Sequence, residues 1–182
     1  DLIQTPANNP VQDGFPGMSF VRAYEKLRFW LQGNSKRQAR KNIQYHYDLG
    51  NDFYRLWLDD SMTYSSALFR TGQESLEKAQ EQKYESMVDQ MGAQPGDHVL
   101  EIGCGWGGFA EHAVARGLQL TGLTLSPAQL EWAQRRVPAA ALRLQDYRDE
   151  GCRYDHIVSI EMFEAVGEPY WPTYFGQLAL TD

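Results

Sequence analysis

The 182-residue chain predicts an α/β fold built on a doubly wound, mostly parallel sheet. Three observations carry that prediction. An apolar run, His98-Val-Leu-Glu-Ile102, leads straight into four glycines within six residues (Gly103, Gly105, Gly107 and Gly108). Beyond it, stretches with the two-residue period of strands alternate with stretches of helical period. Turn and cap residues punctuate the junctions at Pro95-Gly96, Gly117 and Ser126-Pro127.

In chain order, residues 1–17 are rich in Pro, Asn, Gly and Asp without periodicity and read as a mobile arm. Residues 18–92 read as a helical, aromatic-rich cap. Seven of the 25 residues from Tyr45 to Phe69 are aromatic, a density suited to covering a large apolar object. Ser75 to Met91 predicts a helix with Leu76, Ala79, Met87, Val88 and Met91 on one broad face. Residues 93–182 form the sheet domain. A strand at 98–102 is followed by a helix over 109–116 that Gly117 closes, and a second strand over 118–125 completes a βαβ unit. A helix from Pro127 to about Arg136, a short strand at 142–145 and a fourth strand at 154–160 follow.

The glycine spacing selects the ligand. Glycines without a Cβ let main-chain N–H groups approach a bound molecule closely. The pattern is Glu-x-Gly-x-Gly-x-Gly and not the Gly-x-Gly-x-x-Gly of pyrophosphate binders. It predicts the S-adenosylmethionine loop of a Rossmann-like, class I methyltransferase, with Glu101 at the strand end supporting loop and ligand. A nicotinamide site would want an acid about 20 residues past the glycines. The chain offers Thr124, Ser126 and Gln129 there. Ser126-Pro127-Ala128-Gln129 also forms a capping box, and cap and ligand contact are compatible roles.

Composition narrows the function classes. No apolar run approaches the roughly 18 residues that span a bilayer, and no signal-peptide pattern opens the chain, so a soluble, cytoplasmic protein is expected. Cys104 and Cys152 lack metal-ligand spacing, and His46, Asp48, Asp52, Asp59 and Asp60 match no ligand template, so no metal is expected. The chain carries a net charge of −7, yet residues 18–45 hold seven Lys or Arg against Glu25 alone, interleaved with Phe20, Tyr24, Phe29 and Trp30. That stretch suits an anionic membrane surface, or a solvated helix packed by its aromatic side. The acidic remainder argues against a nucleic-acid partner.

From Tyr45 to Phe175 the chain resembles the cyclopropane-fatty-acyl-phospholipid synthases and their mycolic acid relatives. The matching blocks are His46-Tyr-Asp, Phe53-Tyr, Met62-Thr-Tyr-Ser65, Leu76-Glu-Lys-Ala-Gln80, Pro95-Gly96, Glu101-Ile-Gly-Cys-Gly-Trp-Gly107, Gly122-Leu-Thr-Leu-Ser126, Gln145-Asp-Tyr-Arg148 and Ser159-Ile-Glu-Met-Phe-Glu-Ala-Val-Gly167, in the same order. The resemblance implies methyl transfer from S-adenosylmethionine to a cis double bond of a phospholipid acyl chain at the inner face of a membrane. It implies that Tyr64 and Ser65 close over the cofactor. Val99 to Gly107, with Glu101, Gly103, Cys104, Gly105 and Gly107, would hold its amino-acid end. Thr124, Leu125, Ser126 and Gln129 would hold the ribose, and Asp146 and Tyr147 would lie near the adenine. It further implies a bound bicarbonate as base, held with the help of Glu164, for which Glu161 is the rival, and of Ser66.

The chain departs from the family in having Ser66 for a cysteine and Ala165 for a histidine. The product is therefore open between a cyclopropane, a methyl branch and a methylene. Four strands stand where the fold normally has seven, so the chain is expected to be part of a longer protein. A soluble amine acceptor, a non-catalytic lipid-binding module and a homodimer stay open as alternatives.

Overall fold

The computed structural model describes residues 50–181. The expected arm at 1–17, the basic stretch 18–45 and His46-Tyr-Asp lie outside them. Helix α1 (Gly50–Tyr54) opens the described chain. An irregular strap then leads to α2 (Leu76–Met91), whose start is set by Ser75: its hydroxyl accepts the Lys78 N–H. Gly92, in the left-handed conformation, closes it.

The sheet elements follow as β1 (His98–Ile102), α3 (Gly108–Ala115), β2 (Gln119–Thr124), α4 (Pro127–Arg136), β3 (Ala141–Leu144), β4 (His156–Ser159) and α5 (Trp171–Thr181). All three strand pairings are parallel, in the order β3-β2-β1-β4. The chain thus builds outward from β1 to β3, then crosses to the other side of β1 for β4. Ligands of such sheets collect at the carboxyl ends of the strands beside that reversal.

Side chains alternate across β1. Val99 joins one core with Val88 of α2, Phe109 and Ala113 of α3 and Ala133 of α4. Leu100 and Ile102 join a second core on the opposite face with Leu123, Tyr154 and Leu178 of α5. Both β1 and β2 are buried on both faces over nearly their whole length, although β2 carries Thr121, Gly122 and Thr124 among its leucines. Backbone close approach fixes one glycine here. A Cβ at Gly122 would lie 2.6 Å from Leu142 and 3.0 Å from Cys104, which a neighbouring strand and the glycine loop do not allow.

The expected face of α2 needs correction. Ala79 and Val88 are buried as predicted, but so are Gln80, Lys83 and Tyr84, whereas Leu76 is exposed and borders the cavity described below. The helix therefore presents polar groups inward near its start, and these serve the strap.

Candidate active site

A cavity of about 1030 Å³ opens at the carboxyl ends of all four strands. Its walls include Ile102, Gly103 and Gly105 after β1, Thr124 and Leu125 after β2, Gln145 and Asp146 after β3, and Ile160 and Glu161 after β4. Tyr64, Ser65, Ser66, Tyr147 and Glu164 line it as well. Glu101, Cys104, Gly107 and Ser126 do not, so four of the expected site residues stand behind the wall.

The glycine loop is shaped by its backbone. Gly103, Gly105 and Gly107 have φ of 87°, 52° and 84°, the left-handed region in which glycine alone is at ease. The N–H groups of Gly103 and Cys104 both donate to the Leu123 carbonyl at 2.9 Å, folding the loop back onto β2. Trp106 anchors it from the other side. Its indole donates to Asn51 Oδ1 at 2.7 Å and its ring lies 5.0 Å from that of Tyr54.

Glu101 is almost fully buried, and its Oε2 has no hydrogen-bond partner. Burial without a counter-charge pushes its carboxyl up to about 8. It borders a second, small cavity of about 50 Å³ together with Thr63, Ser65, Tyr84 and Gly103. A buried acceptor without a donor is a costly feature unless something cationic or protic completes it. The ammonium of an amino acid held against Gly103 has that chemistry, so these residues fit the amino-acid end of S-adenosylmethionine.

After β2, Ser126 acts as the cap foreseen from the sequence. Its hydroxyl accepts the Gln129 N–H at 3.3 Å. Gln129 in turn accepts the Thr124 hydroxyl through Oε1 at 3.0 Å, which leaves the amide nitrogen of this cavity-lining side chain as a donor for ligand hydroxyls. After β3, both oxygens of Asp146 are engaged by Arg148, at 2.7 Å from Nε and 2.6 Å from Nη2, and Oδ1 also accepts the Arg148 N–H. This carboxylate braces the turn, while the neighbouring Tyr147 ring borders the cavity.

The strap, residues 61–69, forms the opposite wall through long-range side-chain contacts. The Ser61 carbonyl accepts from Arg136 Nη1 of α4. The Thr63 and Tyr84 hydroxyls meet at 2.9 Å. Gln80 Nε2 donates to the Ser65 carbonyl at 2.8 Å, and Lys83 Nζ donates to the Ser65 hydroxyl at 2.5 Å. Burial lowers the Lys83 ammonium to about 8 even though Glu161 and Asp59 pull the other way. Ser66 then reaches across to the β4 end: its N–H and its hydroxyl both donate to Glu161 Oε1, at 2.8 and 2.5 Å. The structure thus joins Ser66 to Glu161, while Glu164, on a 3-10 turn over Phe163–Ala165, borders the same cavity without that bond.

Sequence reasoning named Gln80 only as the end of a matching block, with no role, and did not name Lys83. The signal was available as two polar residues three apart, interrupting the apolar face that Ala79, Tyr84 and Val88 define. No group of His, Cys, Asp and Glu among the described residues is disposed to hold a metal, and no described helix is long and apolar enough to cross a membrane.

Sequence and fold are similar to those of known proteins. Tuberculostearic acid methyltransferase UfaA1 of Mycobacterium tuberculosis is 44% identical over 158 residues, covering 80% of this chain and 37% of that protein. Cyclopropane-fatty-acyl-phospholipid synthase of Escherichia coli is 37% identical over 162 residues, covering 87% of this chain and 40% of its own length. The solved structure of mycolic acid cyclopropane synthase CmaA1 complexed with SAH and CTAB superposes with a TM-score of 0.74 at 34% identity, over 79% of this chain and 53% of that one. The chain therefore spans less than half the length of these two curated relatives. The family model of mycolic acid cyclopropane synthetase matches residues 34–181, and the chain, with its class I methyltransferase fold, belongs to that family.

Proposed function

We propose that the protein transfers the methyl group of S-adenosylmethionine to the cis double bond of an unsaturated acyl chain on a phospholipid. The observation that carries this reading is the two-sided character of the cavity. One end has Gly103 and Gly105 of the glycine loop and the Gln129 side chain, with the orphaned Glu101 oxygen at the small cavity that borders Gly103 behind that wall. The other has exposed apolar groups, Trp57, Phe69 and Leu76, on its border. A polar cofactor end and an apolar acyl end then share one space.

The cofactor supplies an electrophilic methyl on a sulfonium. The chain's residues do the rest. Glu101 would receive the ammonium, the backbone at Gly103 and Gly105 would lie against the amino-acid end, and Gln129 and Tyr147 would meet ribose and adenine. An alkene is a weak nucleophile, so the walls must hold it in line and keep water from the positive charge that develops. Aromatic faces suit that task, because their quadrupoles attract cations. The Trp57 and Tyr64 rings, 5.4 Å apart, supply them on the strap side, with the buried Tyr54 packed behind both.

Membrane docking belongs to the same proposal. Phe53, Leu56, Trp57 and Phe69 are exposed on the strap side, with Leu56 at 81%, and the basic stretch 18–45 precedes them in the chain. Cationic and aromatic groups together suit an anionic lipid surface. Full-length protein incubated with labelled S-adenosylmethionine and vesicles of unsaturated phospholipid is expected to move label into the lipid. Label that stays entirely in the aqueous phase, or that appears on an added soluble amine instead, overturns the proposal.

A further inference from the structure

We infer that Lys83 is a positioning residue for the transfer step: from inside α2 it fixes Ser65, and with it the strap wall that faces the transferred methyl. The inference rests on the methyl-transfer reading above.

A lysine is an expensive choice for the inward face of a helix. Lys83 stands there with Ala79, Tyr84 and Val88 and is only 8% exposed. An ammonium taken out of water must be paired and hydrogen-bonded to persist. It donates to the Ser65 hydroxyl at 2.5 Å and to Gln80 Oε1 at 2.7 Å, and its charge lies 4.8 Å from the centre of the Tyr84 ring. Gln80 then turns its amide nitrogen to the Ser65 carbonyl at 2.8 Å. An ammonium cannot accept, so it settles which way that amide points: the oxygen must face Lys83, and the nitrogen is left for the strap. Lys83, Gln80 and Ser65 thus close a ring in which the hydroxyl and the carbonyl of one strap residue are gripped from α2, across 18 and 15 residues of sequence.

The ring reaches the chemistry through Ser65. Ser65, Ser66 and Gln80 line the large cavity, and Lys83 stands behind them. The next residue, Ser66, is bonded to Glu161 beyond β4, so consecutive residues tie the strap to the helix on one side and to the sheet edge on the other. The charge is placed to match. Asp59, which accepts the Ser61 and Thr63 N–H groups at the start of the strap, and Glu161 both attract it. Other ties confine Lys83 to a local task. The Ser61 carbonyl is held by Arg136, the Thr63 hydroxyl by Tyr84 and the Leu68 N–H by the Ala79 carbonyl. Losing Lys83 therefore loosens Ser65 and lets the Gln80 amide turn, without unfastening the strap. A wall displaced by about an ångström at that point spoils the alignment of alkene and methyl. The nucleoside, which on the same reading rests against the glycine-loop wall, is held as before.

The test uses full-length protein, labelled S-adenosylmethionine and vesicles of unsaturated phospholipid, with S-adenosylhomocysteine affinity taken from calorimetry. K83M keeps the stem and removes the donors. It is expected to lower kcat on lipid about tenfold and to leave nucleoside affinity within about twofold. S65A removes the same bond from the strap side and is expected to lose a similar factor in kcat. Because the two changes cut one bond, the double variant is expected to be no more than about twofold worse than either single one. A lysine that only fills space in α2 gives no such coupling. K83M turning over lipid at the wild-type rate, an equal loss of affinity and turnover, or losses that multiply in the double variant each overturn the inference while leaving the proposed function intact. If K83M yields no folded protein, S65A decides: wild-type kcat overturns the assignment, and a loss of about tenfold with nucleoside binding retained upholds it. Wild type that binds S-adenosylhomocysteine but labels no lipid sinks the methyl-transfer reading, and this inference with it.

Discussion

The two walls of the cavity are built on opposite plans. The glycine loop, residues 102–108, is shaped by its own backbone: positive φ at alternate glycines, two N–H groups on one carbonyl and a helix start at Gly107. The strap, residues 61–69, has almost no internal regularity and is held by side chains reaching from Gln80, Lys83, Arg136 and Glu161. A loop that makes its own geometry presents a fixed surface to a constant ligand. A strap held by long-range side-chain bonds can be tuned, or released, by changing a single partner. On the proposed function, the difference predicts that cofactor affinity and turnover respond unequally to changes in the two walls.

The largest expected effect lies in the loop. Gly103→Val imposes a β-branched side chain at φ 87° and sets its Cβ 3.1 Å from Met162. Left-handed strain and overpacking together cost roughly 4 kcal/mol, which corresponds to about a thousandfold loss of S-adenosylhomocysteine affinity. Calorimetry measures it. Retention of near-normal affinity would mean that the loop is as adaptable as the strap, and the contrast would fail.

Next in size is a pH effect in which the two walls have opposite signs. Burial raises Glu101 in the folded state to about 8, above its ordinary value of 4.5, so the native state binds more protons than the unfolded chain between those values. Stability therefore falls as pH rises from about 4.5 to 8, by something on the order of 3 kcal/mol. Lys83, lowered to about 8 from 10.5, holds fewer protons in the native state over the next interval, so stability recovers as pH rises from 8 toward 10.5. Denaturant midpoints across pH are expected to pass through a minimum near 8. Glu101→Gln should flatten the acid limb and Lys83→Met the alkaline one. A monotonic profile that neither variant changes would break the assignment.

How legible these walls were in the sequence follows the same division. The loop and the cap of α4 were readable because their determinants are local: a glycine spacing, and Ser126 three residues before Gln129. The parallel sheet was readable from alternating βα units, whereas the strand order β3-β2-β1-β4 depends on the side of β1 to which the chain crosses and was not. The strap contacts were not readable, since the Ser66–Glu161 bond spans 95 residues and depends on where β4 ends in space. Asp146 shows the converse limit. Its motif pointed to the ligand, but only coordinates reveal that Arg148 engages both of its oxygens.

A smaller effect belongs to the strap. Lys83→Met removes the donor to Ser65 and the charge beside Glu161, while its stem still fills the space against Tyr84. Replacing a buried charge by an isosteric apolar group is near neutral or stabilising for the fold. The expected outcome is a fall in kcat of about tenfold on lipid, set by misplacement of the strap, with nucleoside affinity unchanged. Equal losses in affinity and turnover would show that the strap and the loop act as one unit.

The smallest change tests whether Ser126 touches the ligand or only starts the helix. Its hydroxyl is buried, accepts the Gln129 N–H and lies behind the cavity wall. Ser126→Ala should then cost about 1 kcal/mol of stability, the usual worth of a lost N-cap, and shift the thermal midpoint by a few degrees. Nucleoside affinity should stay within about twofold, because Thr124 still holds Gln129 Oε1 and fixes the amide that faces the ligand hydroxyls. A tenfold loss of affinity without loss of stability would instead make the hydroxyl a ligand group, and would mean that even the self-shaped wall relies on a side chain where the backbone was expected to suffice.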